Sequence, residues 1–498
     1  MTIKRVAPFI TRAKRSIISF LWHHGLFVLA LLGGTYVRLI TMRGYPGVLW
    51  FTGDSYFYLG GALRPQPSLS KTLGYSFLLQ VLEPFHSLTL VAALQHLMGL
   101  AVAVLVYALL RRHGLPALPA TAVTLPILFD AYQIQLEHLL MAESVFTFLI
   151  AVSVTLILWR RRPLWWVALF AGLLLGYAVL VRSAGAAMIP VALACLVVRR
   201  AGWRACVAAA VGAVAPLAAY AVWFHSEHGR YGLTMSDGLY LWGRTSTFAD
   251  CAKIRPPEAE RPLCLYDNPP GRIAPGTLIW RKEVPPRQIP GGPITPENNR
   301  LLRSFALHAV KAQPGDYADA IRQGVEMAVS SQRFGYPNPN TERLYHFRER
   351  PQLFPGGRSW AGGGTALSDA RAYDPGPPSR VVEPYAGRMR RYQQNVFLPG
   401  PALGVLLVAG AAGIAVAHRR RTAALTAWSA AATLLVFPIA TADFDYRYVV
   451  PTLPFACLAA GLALTPLQDL GRVASRRLTR WWGSRGSLRR DSDPATEP

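Results

Sequence analysis

Residues 88–112 read LTLVAALQHLMGLAVAVLVYALLRR. From 88 to 110 no Asp, Glu, Lys or Arg interrupts the run, and it stops on Arg111-Arg112. A helix crossing the hydrocarbon of a bilayer needs about 20 mostly apolar residues, and arginines at its end mark the cytoplasmic side. The same pattern recurs along the chain. Apolar runs at about 25–41, 88–110, 115–131, 138–158, 164–181, 184–198, 204–224, 397–417, 422–441 and 447–466 predict an all-α polytopic membrane protein of about ten transmembrane helices. The stretch 164–198 fits one kinked hairpin or two short spans, and two spans put Arg182 at a turn, where an arginine costs least.

The composition agrees. Of 498 residues, 52% are hydrophobic and only 16% charged, with a mean hydropathy of +0.25. A soluble domain carries roughly 25% charged residues, so this chain lacks the polar side chains to cover a globular surface. The apolar excess excludes disorder. The formal charge of +25 suggests nucleic acid until its placement is considered. With ten spans and the N-terminus inside, the cytoplasmic segments hold 23 basic residues against four acidic ones, a net of +19. Orientation accounts for most of the charge, and no nucleic-acid partner is required. The first apolar run reads as an uncleaved signal anchor.

The chain divides into a basic cytoplasmic N-terminus, 1–24; an N-terminal transmembrane module, 25–224, with a first outside loop at 42–87; an extracytoplasmic Pro-rich loop domain, 225–396; C-terminal transmembrane helices, 397–466; and a basic cytoplasmic tail, 467–498. The large loop holds 20 of the 39 prolines, between Pro256 and Pro384. Short helices are expected inside it, one starting at Thr295-Pro296-Glu297 and one after Pro314-Gly315-Asp316. The second has Ala318, Ile321, Val325 and Met327 as its apolar face. The stretch around Arg358 to Pro378 reads as irregular. Cys251 and Cys264 are disulfide candidates on the oxidising side. Cys195, Cys206 and Cys457 read as small apolar residues within spans.

No phosphate-binding loop, dinucleotide fingerprint, zinc-protease motif or nucleophile elbow occurs. The informative residues are ionisable groups at the outer ends of spans. Asp54 lies among Trp50, Phe51, Tyr56, Phe57 and Tyr58, with Arg64 and Lys71 following. It is either a partly desolvated general base or the cap of a short helix starting at Ser55. Glu137 and His138 lie near the interface. Glu143 enters the fourth span by about one and a half turns, as a functional carboxylate or as a structural hydrogen-bond acceptor. Arg182 ends the fifth span, where snorkelling to headgroups is the simplest reading. Asp443, Asp445, Tyr446, Arg447 and Tyr448 crowd the mouth of the last span.

Four segments carry a resemblance: GDSYFYLGGA (53–62), LMAESVFTFLI (140–150), LVRSAGAAMIP (180–190) and DYRYVVPTLPF (445–455). In order and placement they resemble the membrane glycosyltransferases of the GT-C superfamily, in particular the lipid-carrier-dependent enzymes related to aminoarabinose transferases and protein mannosyltransferases. The family often has an acidic pair in the first loop, whereas here Asp54 is followed by Ser55. Glu137 or Glu143 would then be the second carboxylate or metal candidate, and a divalent cation is held in some members and not others. The resemblance implies inverting transfer of a sugar from a polyprenyl-phosphate donor to a glycan, lipid or protein acceptor on the outer face of the cell membrane. It implies Asp54 as base, Arg447, Arg182 and Lys71 on the donor phosphate, and Tyr56, His138, Asp443, Asp445 and Tyr448 lining the site. The alternatives are a lipid or polysaccharide transporter and a non-catalytic envelope assembly protein.

Overall fold

A computed structural model describes residues 7–265, 273–333, 335–355, 363–416 and 420–465, with side chains from residue 24 onward. Among these residues every regular element is a helix, and Leu49 and Leu139 form an isolated parallel bridge. All ten apolar runs contain helix. Five helices are long and apolar enough to cross a membrane singly: His24–Gly44, Leu88–Arg112, Trp203–His228, Arg421–Thr441 and Tyr446–Thr465. Two further crossings arise where bent pairs count as one span. These are Ala117–Phe129 with Ala131–His138, bent by 49°, and Tyr385–Asn395 with Gly400–Val416, bent by 56°. Glu143–Trp159, Trp165–Val181 and Ser183–Val198 fall short of 18 residues. The architecture is a multi-pass helical membrane protein with five to seven candidate spans, where hydropathy alone gives ten. The tail 467–498 lies outside the described residues.

The shortening has local causes. Pro126 removes a backbone donor near the end of its helix. Asp130 then caps the next one, accepting from Gln133 N at 2.7 Å, while its other oxygen accepts from Leu398 N at 2.6 Å. Residues 139–142 leave the helix to meet the first loop: Leu49 N donates to His138 O at 2.8 Å and Leu140 N to Leu49 O at 2.9 Å. Glu143 therefore starts a helix instead of lying a turn and a half inside one. Arg182 is extended, between Trp165–Val181 and the short turn Ser183–Ala187 that leads into Met188–Val198.

In the loop region, Pro296–Ala312 and Pro314–Val329 are helical, and Thr295 Oγ1 caps the first by accepting from Asn298 N. The second buries Ala320, Gly324 and Ala328, with Ile321, Val325 and Met327 beside them, and leaves Ala318 exposed. Small residues face inward because the helix lies close to Arg421–Thr441: a Cβ on Gly324 would come within 2.5 Å of Ile439 Cγ2. The stretch expected to be irregular contains a helix, Ala366–Tyr373, closed by a Thr365/Ser368 capping box; residues 356–362 lie outside the described residues. Cys251 and Cys264 are joined, Cα to Cα 6.1 Å, and Cys195, Cys206 and Cys457 are free.

Trp165–Val181 and Trp203–His228 touch backbone to backbone. A Cβ on Gly172 would sit 2.1 Å from Ala209 O, one on Gly176 2.2 Å from Ala213 O, and one on Gly212 2.2 Å from Leu169 O. In lipid, apolar helices associate through such close packing, because the tails around them are as apolar as leucine. Overpacking a fitted contact costs about 1–3 kcal/mol. Gly172→Val or Gly176→Val should lower the thermal unfolding midpoint in detergent, and a melt like the wild type's would contradict the close approach.

Candidate active site

Asp54 opens the helix Asp54–Leu63, and Gly53 before it adopts φ +91°, a conformation that glycine takes without strain. Gly53 stands in the cap position and Asp54 is the first helical residue, its carboxylate taken up by side-chain cations. Ser55 instead ties the turn down: its hydroxyl accepts from Phe51 N at 2.7 Å and donates to Leu140 O at 2.8 Å. Asp54 is left facing two cations. Lys71 Nζ donates to Oδ1, and Arg447 Nη1 donates to Oδ2 at 2.5 Å. Arg447 also lies 3.0 Å from Asp445 and 3.8 Å from Glu143, whose Oε1 accepts from Arg182. Three carboxylates and three cations thus alternate in one group. Glu143 is 1% exposed, and its Oε2 has no hydrogen-bond partner among the described residues. Phe57 and Tyr58 lie under Lys71, Phe51 under Arg447, and Tyr448 under Arg182.

The group borders a cavity of about 1080 Å³. Asp54, Lys71, Arg182, Asp443, Asp445, Arg447 and Tyr448 line it, joined from the loop region by Tyr240, Trp280 and Asn338. Burial alone would raise the Asp54 pKa, but Lys71 and Arg447 outweigh it and hold the carboxyl well below the usual range. The desolvated, ready base expected from its aromatic neighbours is thus a carboxylate with suppressed basicity. Asp443 behaves oppositely. Burial pushes it up to about 6, against hydrogen bonds from Tyr336 Oη (2.5 Å) and Gly276 N (2.9 Å) and the Arg244 charge at 3.9 Å. Tyr345 donates to Asp445, which caps the turn carrying Arg447.

Three sequence candidates fall elsewhere. Tyr56 packs between Trp50 and Phe354, and its hydroxyl accepts from Gln352. Glu137 and His138 belong to a buried network below the first loop. Arg38 grips Glu137 at 2.7 and 2.8 Å, His96 bonds Glu137 at 2.9 Å and His138 at 2.9 Å, and His138 meets Tyr45 O at 2.7 Å. Gly99 makes room, since a Cβ there would lie 1.8 Å from Glu137 Oε1. Gln95 donates to Glu137 O and Leu139 O, fixing the segment that pairs with Leu49. This network positions the loop bearing Asp54 without touching the cavity. Sequence reasoning passed over Arg38 and His96 although each stands inside an apolar run, where an ionisable group signals a partner. Arg244, Tyr336 and Tyr345 carried no such signal.

Each carboxylate of the group faces a cation of the chain itself. Among the described residues no three His, Cys, Asp or Glu side chains converge as ligands. Glu137 is spent on Arg38, and Asp54 and Glu143 face the chain's own cations.

Residues 76–206 match the family model for dolichyl-phosphate-mannose-protein mannosyltransferases. That match covers about a quarter of the chain and, with the apolar helices, agrees with the resemblance to the membrane glycosyltransferases of the GT-C superfamily. The matched segment includes Glu143 and Arg182 but neither Asp54 nor Arg447. No curated protein matches. Among solved structures the chain is similar to the oligosaccharyltransferase of Archaeoglobus fulgidus in its apo form, at 15% identity and a TM-score of 0.41, covering 92% of this chain and 52% of that one. The same organism's oligosaccharyltransferase in complex with an inhibitory peptide and a dolichol-phosphate gives 14% identity and 0.37, over 96% and 52%. The chain spans about half the length of these structures.

Two tests follow from the buried charges. Arg38→Met leaves Glu137 an unpaired buried charge and should cost about 3–5 kcal/mol, most of it recovered in Arg38→Met/Glu137→Gln; equal stability of the two variants would contradict the pairing. Because Asp443 is harder to ionise folded than unfolded, its contribution is intact below about pH 4 and is lost as pH rises to about 6. Asp443→Asn should remove up to about 3 kcal/mol of that pH-dependent loss, read from unfolding midpoints between pH 4 and 7.

Proposed function

We propose that this protein transfers a sugar from a polyprenyl-phosphate donor to an envelope acceptor on the outer face of the cell membrane, by a single inverting displacement. The observation that carries the reading is Asp54 held on the cavity wall between Lys71 and Arg447. A lipid donor brings its phosphate to headgroup depth, where Arg447, Arg182 and Lys71 offer charge-assisted hydrogen bonds. In this reading the three shorter helices also cross, giving about ten spans, with both termini cytoplasmic and the loop at 225–396 outside.

The acceptor hydroxyl attacks the anomeric carbon on the face opposite the phosphate. The carbon–oxygen bond to phosphate breaks, polyprenyl phosphate departs with the electron pair, and the hydroxyl proton passes to Asp54. The cations offset the charge that gathers on the leaving phosphate. They also govern the base. While Lys71 and Arg447 rest on Asp54, its basicity is low; once they are shared with a bound phosphate, the carboxylate recovers the proton affinity the reaction needs. The donor thereby switches on the base. Tyr240, Trp280 and Asn338 bring the loop region to the cavity, where it shapes the acceptor site.

Asp54→Asn should lower transfer from a polyprenyl-phosphate sugar by about 10²–10⁴-fold per molecule of folded protein, scored by chromatography of labelled product in membranes. Full activity in that variant would remove Asp54 as the base.

A further inference from the structure

The same helices carry a second cluster at their far ends, which the transfer reading leaves unused. The helix that starts at Glu143 ends at Trp159, a helix of 17 residues spanning about 24 Å at about 1.5 Å per residue. There Arg199 Nη2 donates to Arg160 O at 2.8 Å. Arg112 donates to Trp159 O, its guanidinium 4.9 Å from the indole centre. Arg420 reaches Gly114, lying 2.9 Å from where a Cβ there would be. His113, in the middle, feels the charges of Arg199, Arg420 and Arg112.

Two observations separate this cluster from a scatter of orienting charges. First, Arg199 is 9% exposed and its Nε lacks a hydrogen-bond partner among the described residues; Arg161 acts on it electrostatically. Second, among the described residues Arg112, Arg160, Arg161 and Arg199 form no ion pair with a carboxylate. Orientation asks only that arginines stand on one side of the membrane. It does not ask that they converge on a buried one, which costs free energy until an anion joins them. A guanidinium fork fits a phosphate in two-point contact. Trp159, Trp165, Trp166 and Trp203 are exposed nearby along the chain, at 41%, 56%, 56% and 72%, and exposed indoles favour headgroup depth.

We propose that this end is a phosphate-binding site centred on Arg199, filled by the headgroup of an anionic phospholipid. The proposal stands independently of the transfer reading, since it uses none of the cavity residues.

The test uses the full chain in nanodiscs of phosphatidylcholine with or without phosphatidylglycerol, reading thermal unfolding and, by native mass spectrometry, lipid retained on the protein. Phosphatidylglycerol should be retained in preference to phosphatidylcholine and should raise the melting temperature. Arg161→Gln/Arg199→Gln should weaken retention by about fivefold per charge removed, whereas Arg322→Gln, on the exposed face of Pro314–Val329, should not. If the Arg199 variant does not fold, Arg112→Gln/Arg161→Gln, at two exposed positions, carries the same expectation. Stabilisation by inorganic phosphate alone, in detergent, supports the anion site with a soluble source. Equal retention of the two lipids by the wild type, or unchanged retention in the folded variants, overturns the proposal.

Discussion

Lys71, Asp54, Arg447, Glu143 and Arg182 form a chain of alternating charge, most of it removed from water. Buried charges are tolerated only when each finds a partner, and loss of one partner leaves the next unpaired at a cost of several kcal/mol. The five residues come from different places: the helix Asp54–Leu63 within the first loop, the segment that follows it, the turn that opens the last described helix, the start of Glu143–Trp159 and the break at Arg182. Their mutual neutralisation pins these elements to one point. Residues 139–142 give up helical geometry to pair with Leu49, and Trp165–Val181 stops where Arg182 turns toward Glu143.

This arrangement separates support from chemistry. Arg38, Glu137, His96 and His138 satisfy one another beneath the loop and hold its backbone. The cavity cations, by contrast, face carboxylates on the cavity side and rest on aromatic rings. Asp443 and Asp445 anchor the opposite wall through Tyr336 and Tyr345, so the loop region is fastened to the membrane helices by the same type of contact. With three carboxylates against three cations, the group carries no net charge.

Much of this was legible in the sequence because burial in lipid writes itself into composition. All ten apolar runs contain helix, and Asp54 and Lys71 from the first outside loop meet Arg182 and Arg447 from span ends in space. Span count was less legible: Pro126, Asp130 and the pairing of 139–142 shorten helices in ways that hydropathy averages over. The site was misread where partners decide the chemistry. Aromatic neighbours around Asp54 suggested a partly desolvated base, while Lys71 and Arg447, the latter 393 positions away, hold its proton affinity down. Glu137 and His138 looked alike to Glu143 in sequence, and only the structure shows Arg38 and His96 claiming them.

The central claim is that the cations on Asp54 are the donor's phosphate ligands. A structure of the protein with bound polyprenyl phosphate tests it most directly. The account predicts the phosphate within hydrogen-bond reach of Arg447 and Arg182, with Asp54 released from at least one of its two cations. A phosphate bound elsewhere, with the Asp54–Lys71 and Asp54–Arg447 pairs intact, would contradict it.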